Sequence, residues 1–326
     1  MPEPDHAIRF TYLSQEDLLQ AGCLDFRLAI EAAESALLAH RNGDVMFPEK
    51  IVQIFNQETQ ERINCLPATL LQEKVCGMKW VSVFPPNVPR FGLQNLTGLF
   101  ILSEIEKGFP IAVLEGTLAS NIRVGAMGAL AAKHFAPRDA RVIGFIGSGE
   151  QAKMHLLAMK TVCPTLTEGR VSAKTTEEEQ QFVRELAPLV PDMELKAAWM
   201  KPGSFYSHVG GWEDEYAVAK QCQKIVCDDW ETVKHRTQTL SRMYKDGELA
   251  DSDVHGNLDE VVAGEKAGRE TDEERVYFNA VGLAFVDVAI ALAMYRRATG
   301  AGKGRELTMQ ETMIFDHPDM ASYVRL

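Results

Sequence analysis

The sequence predicts an α/β protein of two domains, one a parallel sheet with crossover helices and the other a smaller α+β unit. Three observations carry that prediction. The chain has 326 residues, 46% of them apolar, which is enough to bury two cores. Short β-branched runs bounded by turn residues fill its first third, and from Arg141 onward strand, glycine-turn and helix patterns alternate.

The elements follow in order. Ser14-Gln-Glu-Asp ahead of Leu18-Leu19 has the form of a capping box, and Ala29 to Leu38 has helical spacing, so two short amphipathic helices are expected between Ser14 and Gly43. Ile51–Phe55, Ile63–Leu66 and Val75–Phe84 are apolar or β-branched runs separated by polar turns, the pattern of a mostly antiparallel sheet. Leu96–Glu104 and Pro110–Glu115, joined through a Lys107-Gly108 turn, read as a hairpin. Leu118–Ala136 is rich in small residues and reads as a helix able to lie very close to a neighbour. Arg141–Ile146 reads as a short buried strand and Gln151–Lys160 as the helix after it; Val171 opens a second strand and Thr176–Leu186 a second helix. Val276–Ala298 reads as one long apolar helix, and Gly300–Gly304 as a flexible break before a polar tail.

Charge and cysteine usage narrow the function classes. A formal net charge of -12 without a basic run repels phosphate backbones, so no nucleic-acid partner is expected. Residues Met1–Phe10 lack the pattern of a signal peptide and no apolar run is long enough for a membrane span, so a cytoplasmic protein without a membrane partner is expected. The six cysteines contain no CxxC pair, which indicates reduced thiols and no metal site. HExxH, P-loop and GxSxG motifs do not occur.

The most specific motif is Ile143-Gly-Phe-Ile-Gly147-Ser148-Gly149-Glu150-Gln151-Ala152, a GxGxxA turn directly after a strand and directly before a helix. Gly147 permits the tight turn, Gly149 lets the backbone approach a pyrophosphate, Ala152 lets the helix pack closely, and the helix N-terminus offers unpaired N–H groups to the anion. This is the dinucleotide-binding fingerprint, and NAD or NADP is the implied cofactor. The second strand ends in Lys174-Thr175, where an NAD site usually presents an acid to the ribose hydroxyls. Lys174 meets a 2′-phosphate or merely solvates its loop; the first option leans the expectation toward NADP.

Four charged residues stand in unusual surroundings. Lys79, inside Val75-Cys-Gly-Met-Lys-Trp-Val-Ser-Val-Phe84, either meets an anionic substrate or snorkels from a sheet edge, and periodicity alone favours snorkelling. Arg123, among small residues, either clamps a carboxylate or pairs with an acid of the preceding hairpin. Glu213 and Asp214 follow a Gly-Gly turn and are general-base candidates or solvated loop charges.

The sequence resembles the ornithine cyclodeaminase and μ-crystallin family from about Tyr12 to about Ala298. The likeness lies in Gly77-Met-Lys-Trp-Val, Phe84-Pro-Pro-Asn87, Gly92-Leu-Gln-Asn95, Gly108-Phe-Pro110, Ser120-Asn-Ile-Arg123-Val-Gly-Ala, the GxGxQA turn and Tyr277 to Asp287. The resemblance implies a homodimer of two-domain subunits, with an α+β substrate-binding and dimerisation domain (1–118 with 296–326) and a Rossmann dinucleotide-binding domain (119–295), the substrate lying between them. It also implies that Lys79 binds substrate, that Arg123 binds its carboxylate and that Asn95 touches the cofactor. Lys50 stands where the family usually has arginine. Two departures are visible: Trp212 replaces the aspartate that cyclodeaminases carry after the Val-Gly-Gly turn, and only a dozen residues separate Leu186 from Trp199, where the family has about two strands and a helix.

The resulting expectation is reversible hydride transfer between a nicotinamide cofactor and the C=N carbon of an amino acid's imine, as in an imine reductase, amino-acid dehydrogenase or opine-type synthase. Arg123 and Lys50 would hold the carboxylate, Lys79 would polarise the imine, and Glu213 or Asp214 would relay the proton. The alternatives are ammonia-releasing cyclodeamination, with NAD+ recycled, and a crystallin-like ligand-binding role without catalysis.

Overall fold

The computed structural model describes residues 6–196, 203–211 and 214–325. It divides into two compact units, the first of residues 1–24, 46–118 and 291–326, the second of residues 25–45 and 119–290. In chain order, β1 (Ile8–Leu13) and α1 (Gln15–Gln20) open the first unit and α2 (Phe26–Arg41) belongs to the second. Next come β2 (Val45–Met46), β3 (Ile51–Asn56), β4 (Glu61–Leu70), β5 (Val75–Val83), α3 (Asn87–Phe91), β6 (Leu96–Glu104) and β7 (Pro110–Glu115). Helix α4 (Thr117–Phe135) leads into β8 (Val142–Ile146), α5 (Glu150–Val162), β9 (Glu168–Ser172), α6 (Thr176–Leu186), β10 (Glu194–Lys196) and β11 (Phe205–His208). They are followed by α7 (Tyr216–Lys220), β12 (Lys224–Cys227), α8 (Trp230–Lys234), α9 (Thr239–Lys245), β13 (Gly256–Asn257), α10 (Leu258–Val262) and β14 (Val276–Asn279). The chain ends through α11 (Ala284–Gly300), β15 (Arg305–Gln310) and α12 (Met320–Tyr323).

The first unit is built on an eight-stranded sheet in the order β15-β1-β7-β6-β5-β4-β2, with β3 also paired to β4. All of its pairings described here are antiparallel except β1 with β7. Alternation decides its buried face. Leu66, Ala68 and Leu70 of β4, Val75 and Val81 of β5, Phe100 and Leu102 of β6, and Ala112 and Leu114 of β7 all point into the core. The capping box expected at Ser14 is present: its Oγ accepts from the Asp17 N–H at 3.2 Å, and Asp17 Oδ2 accepts from the Ser14 N–H at 3.0 Å. Such a cap contributes about 1 kcal/mol. The polar tail after Gly304 is a strand rather than coil, since β15 pairs antiparallel with β1, Tyr12 facing Arg305. Its side chains are largely exposed, so no apolar period announces it; backbone pairing with β1 and the Arg9–Glu306 ion pair support it.

The second unit contains two parallel sheets, β10-β9-β8 and β11-β14-β12-β13. Two sequence expectations are corrected here. Val276–Ala298 is not one helix: Val276–Asn279 is the central strand β14, and the helix begins at Ala284. All four residues of β14 are buried, so the strand shows no alternation and reads like a buried helical turn. Nor is β8 a buried strand, because Val142 is 45% and Ile146 71% exposed. It is an edge: between α6 and β11 the described residues form only β10, which pairs with β9 on the side away from β8. The close helix approach does occur. A Cβ on Gly128 of α4 would fall 2.6 Å from the His155 ring of α5, and one on Gly125 would fall 2.9 Å from the Met154 carbonyl oxygen.

Candidate functional site

The glycine turn occupies residues 147–149, between β8 and α5. Gly147 has φ of +97°, a backbone that L side chains rarely adopt, and its N–H donates to the Ser172 carbonyl at 2.7 Å. That bond fastens the turn to the end of β9. Gly149 is the N-cap of α5 and offers no side-chain cap, and a Cβ at Gly147 or Gly149 would meet nothing within 4 Å. Open ground therefore lies before the uncapped N–H groups of Glu150, Gln151 and Ala152, which fits an anionic pyrophosphate. Ser148 is part-exposed in the same turn. Gln151 is anchored through Nε2 to Asn121 Oδ1 of α4 at 3.1 Å, while its own Oε1 is buried without a partner among the described residues.

The loop after β9 has a more acidic character than its Lys174 suggests. The Ala173 N–H donates to Glu179 Oε1 at 3.1 Å and the Lys174 N–H to Glu178 Oε2 at 3.2 Å, while Thr175 caps α6 by accepting from the Glu178 N–H. Two carboxylates thus fold onto the loop that follows the strand fastened to the glycine turn. Lys174 itself is exposed.

At the C-terminal ends of β11, β12 and β14 several polar groups converge. Asp228 is 2% exposed and accepts from the backbone N–H groups of Gly282 at 2.7 Å, Val281 at 2.9 Å and Asp229 at 3.0 Å. Burial, only partly offset by those N–H groups, pushes its carboxyl up to about 6. The bonds to Val281 and Gly282 fix the turn after β14, and Gly282 in that turn lies against Arg123: a Cβ there would sit 2.7 Å from Arg123 Nη1. Arg123 donates from Nε to Asp287 Oδ1 at 2.9 Å, with side-chain exposures of 12% and 0%. The acid paired with Arg123 therefore comes from α11, not from the hairpin before α4. Its terminal nitrogens have no protein acceptor among the described residues.

Asp214 is gripped from three sides. Its carboxylate accepts from Thr239 Oγ1, from the Tyr277 hydroxyl at 2.7 Å, and lies 3.3 Å from His208 Nδ1. Burial alone would raise the Asp214 carboxyl, but hydrogen bonds from His208, Thr239 and Tyr277 hold it below the usual carboxylate range. The second nitrogen of His208 lies 2.9 Å from the Gly211 carbonyl, so the network ties the turn after β11 to α9 and β14. Glu213 lies outside the described residues, as does Trp212.

The remaining candidates belong to the first unit. Lys79 is on the buried face of β5, 4% exposed, with Leu66 of β4 and Phe100 of β6 as its cross-strand neighbours. It does not snorkel, because its strand is interior to the sheet and its face is the core face. Lys50 is half-buried in the loop before β3. Asn95 is exposed just before β6, where its carbonyl accepts from the Phe84 N–H at 2.8 Å.

The chain as a whole matches known proteins. Residues 15–199 and 191–302 match the Ornithine cyclodeaminase/mu-crystallin family. The chain belongs to that family. It is 32% identical to the alanine dehydrogenase of Archaeoglobus fulgidus, an alignment covering 90% of this chain and 97% of the other. Among solved structures it resembles the Thermococcus litoralis Delta(1)-pyrroline-2-carboxylate reductase in complex with NADH and L-proline, with a TM-score of 0.84 and 27% identity over 91% of this chain and 99% of that one. An archaeal alanine dehydrogenase dimer with bound NAD also gives a TM-score of 0.84, at 28% identity, over 93% of this chain and 100% of that one.

The fold shared with these structures is mixed α/β with a Rossmann-type dinucleotide-binding domain. Sequence reasoning missed Asp228 and Asp287. Asp287 is the only acid between Val276 and Tyr295, and an acid in so apolar a run signals a buried partner. Asn64 offers a similar signal, a polar residue in phase with Leu66, Ala68 and Leu70 on the core face of β4.

Proposed function

We propose that this chain is an NAD(P)-dependent oxidoreductase acting at the C–N bond of an amino acid or its imine. One observation carries the reading: a tight glycine turn at positive φ, hydrogen-bonded to the neighbouring strand, opens onto an uncapped helix N-terminus with free space before it. The dehydrogenase and imine-reductase relatives, two of them solved with NAD or NADH, support it.

The nicotinamide, when bound, supplies or accepts the hydride. Gly147, Ser148, Gly149, Glu150, Gln151 and Ala152 hold the pyrophosphate through their backbone, Thr175 and Lys174 border the ribose, and Asn95 contributes a further cofactor contact. Arg123 receives the substrate carboxylate on its terminal nitrogens, with Asp287 fixing the plane of the guanidinium through Nε. Lys50 adds a second cation for that carboxylate. Lys79, a cation on a core face, polarises the C=N bond and gives or takes the proton there. Asp214, held deprotonated by three donors, anchors its turn and leaves the proton relay to Lys79. The cofactor assigned is NAD, because Glu178 and Glu179 on the loop amides outweigh the single Lys174 when a 2′-phosphate approaches.

A homodimer is part of the same proposal. Ile51, Cys65, Trp80 and Leu99 form one row across β3, β4, β5 and β6 on the outer face of the sheet, and Ile51, Trp80 and Leu99 are 60%, 38% and 42% exposed. Six free cysteines fit a reducing cytoplasm, and among the described residues no helix is long and apolar enough to cross a membrane.

The test is a titration with NADH followed by its fluorescence, then turnover of α-keto acids with ammonia or amines while the nicotinamide absorbance is followed. Net NADH consumption with a keto acid and an amine is the expected result. Ammonia release without net cofactor change would instead indicate cyclodeamination, and absence of nicotinamide binding would overturn the proposal.

A further inference from the structure

We infer that Asn64 is a specificity-determining residue, and that the amino acid handled here carries a hydrogen-bond donor on its side chain. The inference rests on the reading of Lys79 as a substrate-binding residue and adds the part of the substrate that lies beside it.

The register of the first unit's sheet places the two residues together. Leu66 faces Lys79 and Asn64 faces Val81, so Asn64 lies one strand over and two positions along from Lys79, on the same face. Leu66, Val81 and Phe100 surround the pair, and Arg62, part-buried on the same face of β4, donates from Nη1 to the Gln60 carbonyl at 2.8 Å. On the far side of Val81 stands Gly98, which adds no side chain to β6 at that level. Asn64 is 9% exposed, yet its Oδ1 is buried with no hydrogen-bond partner among the described residues.

A buried amide oxygen without a donor is rare in folded proteins and calls for a group that completes it. The side chains on this face that carry donors, Lys79 and Arg62, do not complete it, since Oδ1 has no partner among the described residues. A substrate engaged by Lys79 extends naturally along the same face, and a hydroxyl, amide or ammonium on its side chain would satisfy Oδ1. An isosteric apolar side chain would leave Oδ1 buried and unpaired, and sites built in this way discriminate strongly against the analogue that lacks the donor.

The experiment uses the full-length protein with NAD+, following NADH formation with the isosteric pairs L-serine against L-2-aminobutyrate and L-homoserine against L-norvaline. The expected result is a kcat/KM at least about tenfold higher for the hydroxylated member of each pair. Asn64→Leu abolishes that ratio, Asn64→Ser restores part of it, and NADH affinity stays at the parent value in both. Where turnover is too slow, the same pairs are compared by the shift in melting temperature they cause in the presence of NADH. Equal values within each pair, no response to either member, or a ratio unchanged by Asn64→Leu would overturn the inference while leaving the proposed function standing if NADH binds. Failure to bind NADH would remove the proposed function itself.

Discussion

Replacing Asp287 separates the structural from the functional part of the Arg123 arrangement. The Asp287 side chain is fully buried and Arg123 only 12% exposed, so Asp287→Ala leaves a guanidinium in a site that solvent scarcely reaches. Removing one partner of such a pair costs about 3–5 kcal/mol, much of it the desolvation of the charge left behind. For a unit of this size that corresponds to a fall in melting temperature of roughly 6–20 °C. Asp287→Asn keeps an oxygen 2.9 Å from Nε and loses only the charge, for about 1–2 kcal/mol. Thermal unfolding followed by circular dichroism measures both, and the double variant with Arg123→Ala closes the cycle. The cycle is expected to show a coupling of about 1–3 kcal/mol, because removing both charges leaves neither stranded. If Asp287→Ala unfolds within a degree of the parent, or the two single losses simply add, the ion pair does not hold Arg123 and the reasoning fails. In the same variants, Asp287→Asn should raise KM for the carboxylate substrate while NADH affinity stays constant.

Three further predictions follow from other parts of the structure. Asp228 has its carboxyl raised to about 6 from an ordinary value of 3.8, so the folded state favours the protonated form; its contribution is most favourable below the ordinary value and is lost as pH rises through about 6. The loss amounts to about 3 kcal/mol between those limits, and the stability difference between parent and Asp228→Asn, measured by urea unfolding, should shrink or reverse in that direction over that window. A flat difference between pH 4 and 7 would contradict the burial argument. Glu178→Gln with Glu179→Gln should raise NADPH affinity about tenfold and change NADH affinity little, as like-charge rejection requires; fluorescence titration reads both, and NADPH bound as tightly as NADH by the parent would refute the cofactor assignment. Gly128→Ala places a methyl 2.6 Å from the His155 ring in a buried contact, so it should destabilise by about 1–3 kcal/mol, whereas an unchanged melting temperature would mean that α4 and α5 separate easily.

Much of the site was legible because its signals are local. The GxGxxA turn demands a positive φ, and Gly147 has it; the Ser14 capping box needs only residues three apart, and it forms. The strands β5, β6 and β7 were legible because one buried face stamps a period of two on the chain, while β4 was read only at Ile63–Leu66 of its Glu61–Leu70 span. Lys79 was legible as an anomaly but not as a buried one, because period alone does not say whether a strand is interior to its sheet.

What the tertiary structure alone decided are choices of partner. Val276–Asn279 became a strand because β11 and β12 flank it, and burial on both faces had erased the period that would have distinguished strand from helix. Arg123 found its acid 164 residues farther along the chain, Asp214 was locked by Thr239 and Tyr277, and β8 was left as an edge because β10 pairs elsewhere. Local sequence sets backbone preference and amphipathic period, since these depend on neighbours in the chain. Which charge meets which, and which polar atom is buried without a partner, depends on groups brought together only when distant segments pack.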